Sequence, residues 1–153
     1  MESRQLIEEL VYRSSMALDA KDFNGFLGMC DPAFQYAITC YSPEIRKEMT
    51  WLEHDHAGMK TLFANLPKHN SDQSLLTRHV TVYLTEVPEG GTTAKVTSAL
   101  QVFRTTQDGG TTELFAVGNM FDTVQLGGAS PTLLKRNVRL TTRMLGFGSH
   151  LPF

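Results

Sequence analysis

Residues Arg78 to Leu145 read RHVTVYLTEVPEGGTTAKVTSALQVFRTTQDGGTTELFAVGNMFDTVQLGGASPTLLKRNVRLTTRML. Three clusters of turn formers cut this stretch: Pro88-Glu89-Gly90-Gly91, Gln107-Asp108-Gly109-Gly110 and Leu126-Gly127-Gly128-Ala129-Ser130-Pro131. The runs between them are rich in β-branched and aromatic residues, and each predicts a strand: Arg78 to Val87, Thr92 to Arg104, Thr112 to Gln125 and Thr132 to Leu145. Short connections in succession imply sequential antiparallel pairing, a meander. Strands longer than the usual five or six residues twist and curl around whatever they cover.

Upstream of the meander the periodicity changes. Leu6, Leu10, Arg13 and Ala17, with Ile7, Ser14 and Leu18 one face over, follow the 3.6 period and predict a helix over residues 3 to 20, with Ser3 as its N-cap. Lys21-Asp22 ends it, and Asp22 caps a second short helix from Phe23 to Met29. Asp31-Pro32 reads as a turn. Ala33 to Tyr41 reads as a strand with Phe34, Tyr36 and Ile38 on one face, interrupted by Pro43. Ile45 to Leu52 fits a short strand or the start of a helix equally well. Asp55 to Leu66 predicts a helix with Met59, Leu62, Phe63 and Leu66 in one stripe, stopped by Pro67. Lys68 to Leu76 is a polar loop, and Gly146 to Phe153 an irregular tail. Helices first and a curled sheet afterwards define an α+β architecture. A bent antiparallel sheet wrapped on N-terminal helices is a cone with a pocket inside, the cystatin-like or nuclear-transport-factor-2-like roll. No repeat or linker divides residues 1 to 153, so a single domain is expected.

Composition narrows the function. The chain has 153 residues, enough for one sizeable core, and 14 basic against 16 acidic residues give a net charge of −2. No basic stripe suggests nucleic acid, no apolar run approaches the ~18 residues of a membrane span, and no signal peptide opens the chain. Cys30 and Cys40 read as reduced thiols of a cytoplasmic protein.

The meander alternates poorly. Leu114, Ala116 and Met120 share one face of their strand and Phe115, Val117 and Phe121 the other; Val96, Leu100 and Val102 oppose Ala99 and Phe103. Both faces are apolar, which points to an outer face covered by another chain.

Few residues invite chemistry. His54-Asp55-His56 puts two imidazoles on one face if the segment is a strand, but no third ligand has motif spacing. Neither an iron facial triad nor the Cys-x-His pair of a Rieske cluster occurs, so no metal or cofactor is expected in this chain. His79, opening the first long strand, could serve as a general base in the pocket with Tyr36, Tyr83 or Asp122 as helpers, the arrangement of a stand-alone roll-fold dehydratase or isomerase. Alternatively Arg78, His79, Arg136, Arg139 and Arg143, with Phe115 and Phe121, hold subunits together, arginine being suited to carboxylate pairs across interfaces.

The Arg78-His79 pair after a polar loop, the run Phe121-Asp122-Thr123, a glycine turn and Leu134 to Leu140 (LKRNVRL) resemble the beta subunits of Rieske-type ring-hydroxylating oxygenases. Tyr41-Ser42-Pro43 before the Asp55 helix fits the same layout. The ending Leu140 to His150 is similar to the small hydroxylase subunits of the methanesulfonate monooxygenase group. The resemblance implies a cystatin-like roll forming a homotrimer, joined by three large subunits as α3β3. It implies that the Rieske [2Fe-2S] cluster and the mononuclear non-heme iron belong to the large (alpha) subunit, and that this chain is non-catalytic and structural. The substrate class it implies is an aromatic acid or a small sulfonate.

Overall fold

A computed structural model describes residues 2–69, 74–142 and 152–153. Arg143, the centre of the polar loop (70–73) and the tail residues 144–151 lie outside the described residues.

The element order is α1 (Glu2–Asp19), α2 (Phe23–Gly28), β1 (Cys30–Ser42), β2 (Lys47–Asp55), α3 (His56–His69), β3 (Leu75–Glu86), β4 (Thr93–Thr105), β5 (Thr112–Gln125) and β6 (Thr132–Leu140). The strands form a six-stranded sheet in the order β2-β1-β6-β5-β4-β3. The meander β3 to β6 pairs sequentially and antiparallel, as its turns require. Gly109 and Gly110 take φ of +79° and +61° in the β4–β5 turn, a conformation that residues with a Cβ seldom adopt.

The sheet is mixed rather than purely antiparallel. β1 pairs antiparallel with β2 but parallel with β6. Most of the chain separates β1 from β6, so no hairpin dictates their relative direction. Register shifts fall within β1, β3, β4–β5 and β5–β6, between Ile38 and Thr39, Val82 and Leu84, Val102 and Phe103, and Thr123 and Val124. Such bulges bend a strand and increase its twist, which lets long strands wrap the helices.

Several local expectations are corrected. Ser3 lies inside α1, which already begins at Glu2. Asp31-Pro32 is part of β1, not a separating turn: the Asp31 carboxylate accepts the Ala33 N–H (2.9 Å), and pairing with β6 is interrupted between Cys30 and Gln35. The undecided stretch 45–52 splits into a turn and β2. α3 runs two residues beyond Pro67, to His69. β6 stops at Leu140, because Thr141 and Thr142 fold back to donate to the Val117 carbonyl (2.8 and 3.3 Å).

One core joins the helices to the sheet. Ile7, Leu10, Val11 and Leu18 of α1, Phe26 of α2, and Met59, Phe63 and Leu66 of α3 pack with Phe34, Tyr36, Ile38, Leu100, Met120, Leu133 and Val138. The buried stripe of α1 thus follows Ile7, while Leu6 stays about half exposed.

Candidate functional site

Alternation along β5 and β6 places Asp122 and Arg136 on the inner, apolar face, directly opposite each other in register. Both side chains have 0% exposure. The guanidinium grips the carboxylate with two hydrogen bonds, Nε to Oδ1 at 2.8 Å and Nη2 to Oδ2 at 3.0 Å. Nη2 also donates to Ser14 Oγ at 2.8 Å, and Ser14 donates to the Val11 carbonyl of α1 at 2.6 Å. The Phe26 ring lies 6.0 Å from the guanidinium carbon. Burial opposes the Arg136 charge, but the Asp122 charge and hydrogen bonds outweigh it and hold the Arg136 pKa above its ordinary value. This network fastens α1 to the centre of the sheet.

A second network lies nearby. Arg78 Nη1 donates to Asp19 Oδ1 at 2.7 Å, and Nη2 to the Pro152 carbonyl at 2.6 Å. Burial lowers the Arg78 pKa against the opposing pull of Asp19. The Tyr36 hydroxyl accepts the Phe153 N–H at 2.6 Å and donates to the Phe153 carbonyl at 3.2 Å. Burial pushes the Tyr36 hydroxyl well above its usual range, so it stays protonated.

The proposed acid–base group is therefore not assembled. Tyr36 and Asp122 are inside, each committed to a buried partner. His79 and Tyr83 lie on the outer surface: His79 is exposed with its ring 4.9 Å from that of Phe103, and Tyr83, at the β3 bulge, is 67% exposed.

The expected interface residues separate as well. Arg78 and Arg136 are buried within the chain, because both occupy the inward parity of their strands, so neither guanidinium is presented to a neighbour. Phe115 turns its ring toward Phe153 (6.3 Å, edge-on) where the β4–β5 register shifts. Phe121 and Arg139 do lie on the outer face. Phe121 is 42% exposed, in the same cross-strand row as Thr97 and the half-exposed Leu84. Arg139 makes an exposed pair with Glu48 (3.4 Å) beside Phe121. A hollow of about 400 Å³ is lined by Gln35, Thr39, Glu53, Lys135 and Asn137 of β1, β2 and β6.

The described residues do not fit a metal or cluster. Among those described, no group of three His, Cys, Asp or Glu side chains could hold an ion. His54 ends up in β2 and His56 opens α3, while Asp55 between them caps that helix by accepting the Gly58 N–H at 2.7 Å. Neither Cys30 nor Cys40 is in a disulfide, and both are buried. Burial pushes the Cys30 thiol up to about 12, offset in part by the Arg136 charge, so it is a protonated thiol and not a thiolate ligand.

That shift has a pH signature. The unfolded thiol loses its proton near 9.0 and the folded one near 12. The stability carried by the protonated thiol is complete below pH 9.0 and lost as pH rises toward 12. Thermal melts across this window are expected to fall more steeply in the parent chain than in Cys30→Ala; equal slopes would show that the thiol is solvated.

No helix among the described residues is long and apolar enough to cross a membrane. Asp19, Ser14, Pro152 and Phe153 were not singled out by the sequence, although Ser14 sits on the apolar stripe of α1, a position where a polar side chain needs a buried partner.

No family model matches the chain. It is 37% identical over 153 residues to the beta subunit of the methanesulfonate monooxygenase hydroxylase of Methylosulfonomonas methylovora, covering 95% of this chain and 84% of that protein. It is 29% identical over 147 residues to the beta subunit of the 2-aminobenzenesulfonate 2,3-dioxygenase of an Alcaligenes species, covering 95% and 96%. Among solved structures, the beta subunit assigned to an aromatic-ring-hydroxylating dioxygenase of Novosphingobium aromaticivorans superposes with a TM-score of 0.83 at 16% identity, over 97% of this chain and 95% of that one. The fold is the expected cystatin-like roll, and the chain belongs to the family of ring-hydroxylating oxygenase beta subunits.

Proposed function

We propose that this beta subunit is a non-catalytic, structural component of an oxygenase that hydroxylates a small sulfonate. In this reading it forms a homotrimer joined to three large subunits as α3β3 in the cytoplasm. The large subunit carries the Rieske cluster and the mononuclear iron. The observation that carries the structural role is the occupied interior: Asp122 is bound to Arg136 and Tyr36 to Phe153, leaving neither free to move a substrate proton. The names of two relatives, one for an aliphatic and one for an aromatic sulfonate, support a sulfonate substrate. The outer row of Phe121, Thr97 and Leu84, with the exposed Tyr83 beside it, supports a covered sheet face.

Light scattering of the purified chain is expected to give about three times 17.1 kDa. Phe121→Ala, removing an aromatic from the centre of that face, is expected to weaken self-association by about 2 kcal/mol, the hot-spot scale. A monomeric parent chain would overturn the reading. His79→Gln separates this role from catalysis. Turnover of sulfonate by the reconstituted complex is expected to stay within a few-fold, whereas loss of a general base would lower it by roughly 10²–10⁴.

A further inference from the structure

Pro152 and Phe153 are held in the roll as a ligand would be. The Phe153 ring is 1% exposed and meets Phe115 edge-on at 6.3 Å. Its N–H and carbonyl both bond the Tyr36 hydroxyl, at 2.6 and 3.2 Å. The acyl carbonyl before it, that of Pro152, accepts from Arg78 Nη2 at 2.6 Å. The Arg78 side chain is 2% exposed, and Asp19 balances its charge. A ring slot, an amide clamp and an acyl-oxygen donor therefore converge on one short unit.

We propose that the interior of this roll contains a binding site for an N-acylated aromatic amino acid, filled in cis by Pro152-Phe153 and able to accept the same group from solution once those residues are removed. The specificity follows from the contacts. The acyl oxygen is required, because a free amino group would place an ammonium against the desolvated Arg78 guanidinium. The Arg78–Asp19 pair is neutral overall, so it suits a neutral amide. The aromatic ring is favoured because it packs edge-on against Phe115 and is removed from water. Occupancy in cis keeps the site silent: a tethered group acts at an effective concentration in the millimolar range, which free ligand rarely matches. This inference stands apart from the oxygenase role, since it concerns only this chain's interior.

The test compares the full chain with one ending at Leu151. Both are titrated with N-acetyl-L-phenylalanine by calorimetry, with L-phenylalanine as the unacylated control. The shortened chain is expected to bind the acetylated probe at least about tenfold more tightly than the full chain does, and at least about tenfold more tightly than it binds the control. Tyr36→Phe in the shortened chain should weaken the probe by a similar factor. If the shortened chain does not fold alone, the probe at roughly 10 mM should restore a cooperative melt by mass action. A folded shortened chain that binds the probe no better than the full chain overturns the proposal. So does an unfolded one that the probe fails to restore.

Discussion

Asp122→Ala is expected to destabilise this chain by about 3–5 kcal/mol, a large part of the ~5–15 kcal/mol that holds a typical domain folded. The carboxylate is the only anionic partner that the described structure gives Arg136, and both side chains have 0% exposure. Removing it leaves a guanidinium in an apolar interior, with the Ser14 hydroxyl and the Phe26 ring against it. The cost comes mainly from that stranded charge, not from the lost attraction. The double replacement Asp122→Leu with Arg136→Met removes both charges at similar volume and is expected to recover most of the loss. Asp19→Ala should cost less, because Asp19 is 29% exposed and Arg78 keeps the Pro152 carbonyl. Urea unfolding of these variants gives the ranking. A loss under about 1 kcal/mol for Asp122→Ala would place the pair in the range of solvated ion pairs.

The same pair shows what could be read from the sequence and what could not. The meander was legible because turn residues and β-branched runs are local signals: four strands formed, although β3 begins at Leu75, inside the expected loop, and β6 ends at Leu140, short of Leu145. Arg136 reads as an interface residue because arginine suits carboxylate pairs across interfaces. Yet it shares its parity with Val138 and Leu140, and Asp122 shares its own with Met120 and Val124. Opposite charges on the apolar faces of neighbouring strands were the available sign of a buried pair; recognising it needed the register of β5 against β6. Phe115 was misplaced for a related reason: strict alternation fails across a bulge, and no local signal marks the shift between Val102 and Phe103. The parallel pairing of β1 with β6 and the partners of Pro152 and Phe153 depend on contacts far apart in the chain, where local pattern carries no information.

Phe26→Ala is the second large effect, expected at about 3–5 kcal/mol. Phe26 has 0% exposure in the six-residue helix α2, too short to hold its shape without packing. Its ring meets Phe34 at 6.1 Å and Phe63 at 6.0 Å, both near-perpendicular, and faces the Arg136 guanidinium. One side chain thus links α2, β1, α3 and the buried ion pair. Truncation removes its transfer free energy and leaves a cavity whose rim includes a charge, so collapse of the surrounding apolar groups onto the gap is opposed. Because Phe26 and Asp122 both act on Arg136, their effects should not add: the double variant Phe26→Ala/Asp122→Ala is expected to deviate from the sum of the single variants by about 0.5–3 kcal/mol. Urea midpoints and slopes for the four proteins of that cycle measure the coupling. Strict additivity would mean that the ring packs against the guanidinium without influencing its charge, and a loss below about 1 kcal/mol for Phe26→Ala alone would mean that α2 relaxes into the space the ring vacates.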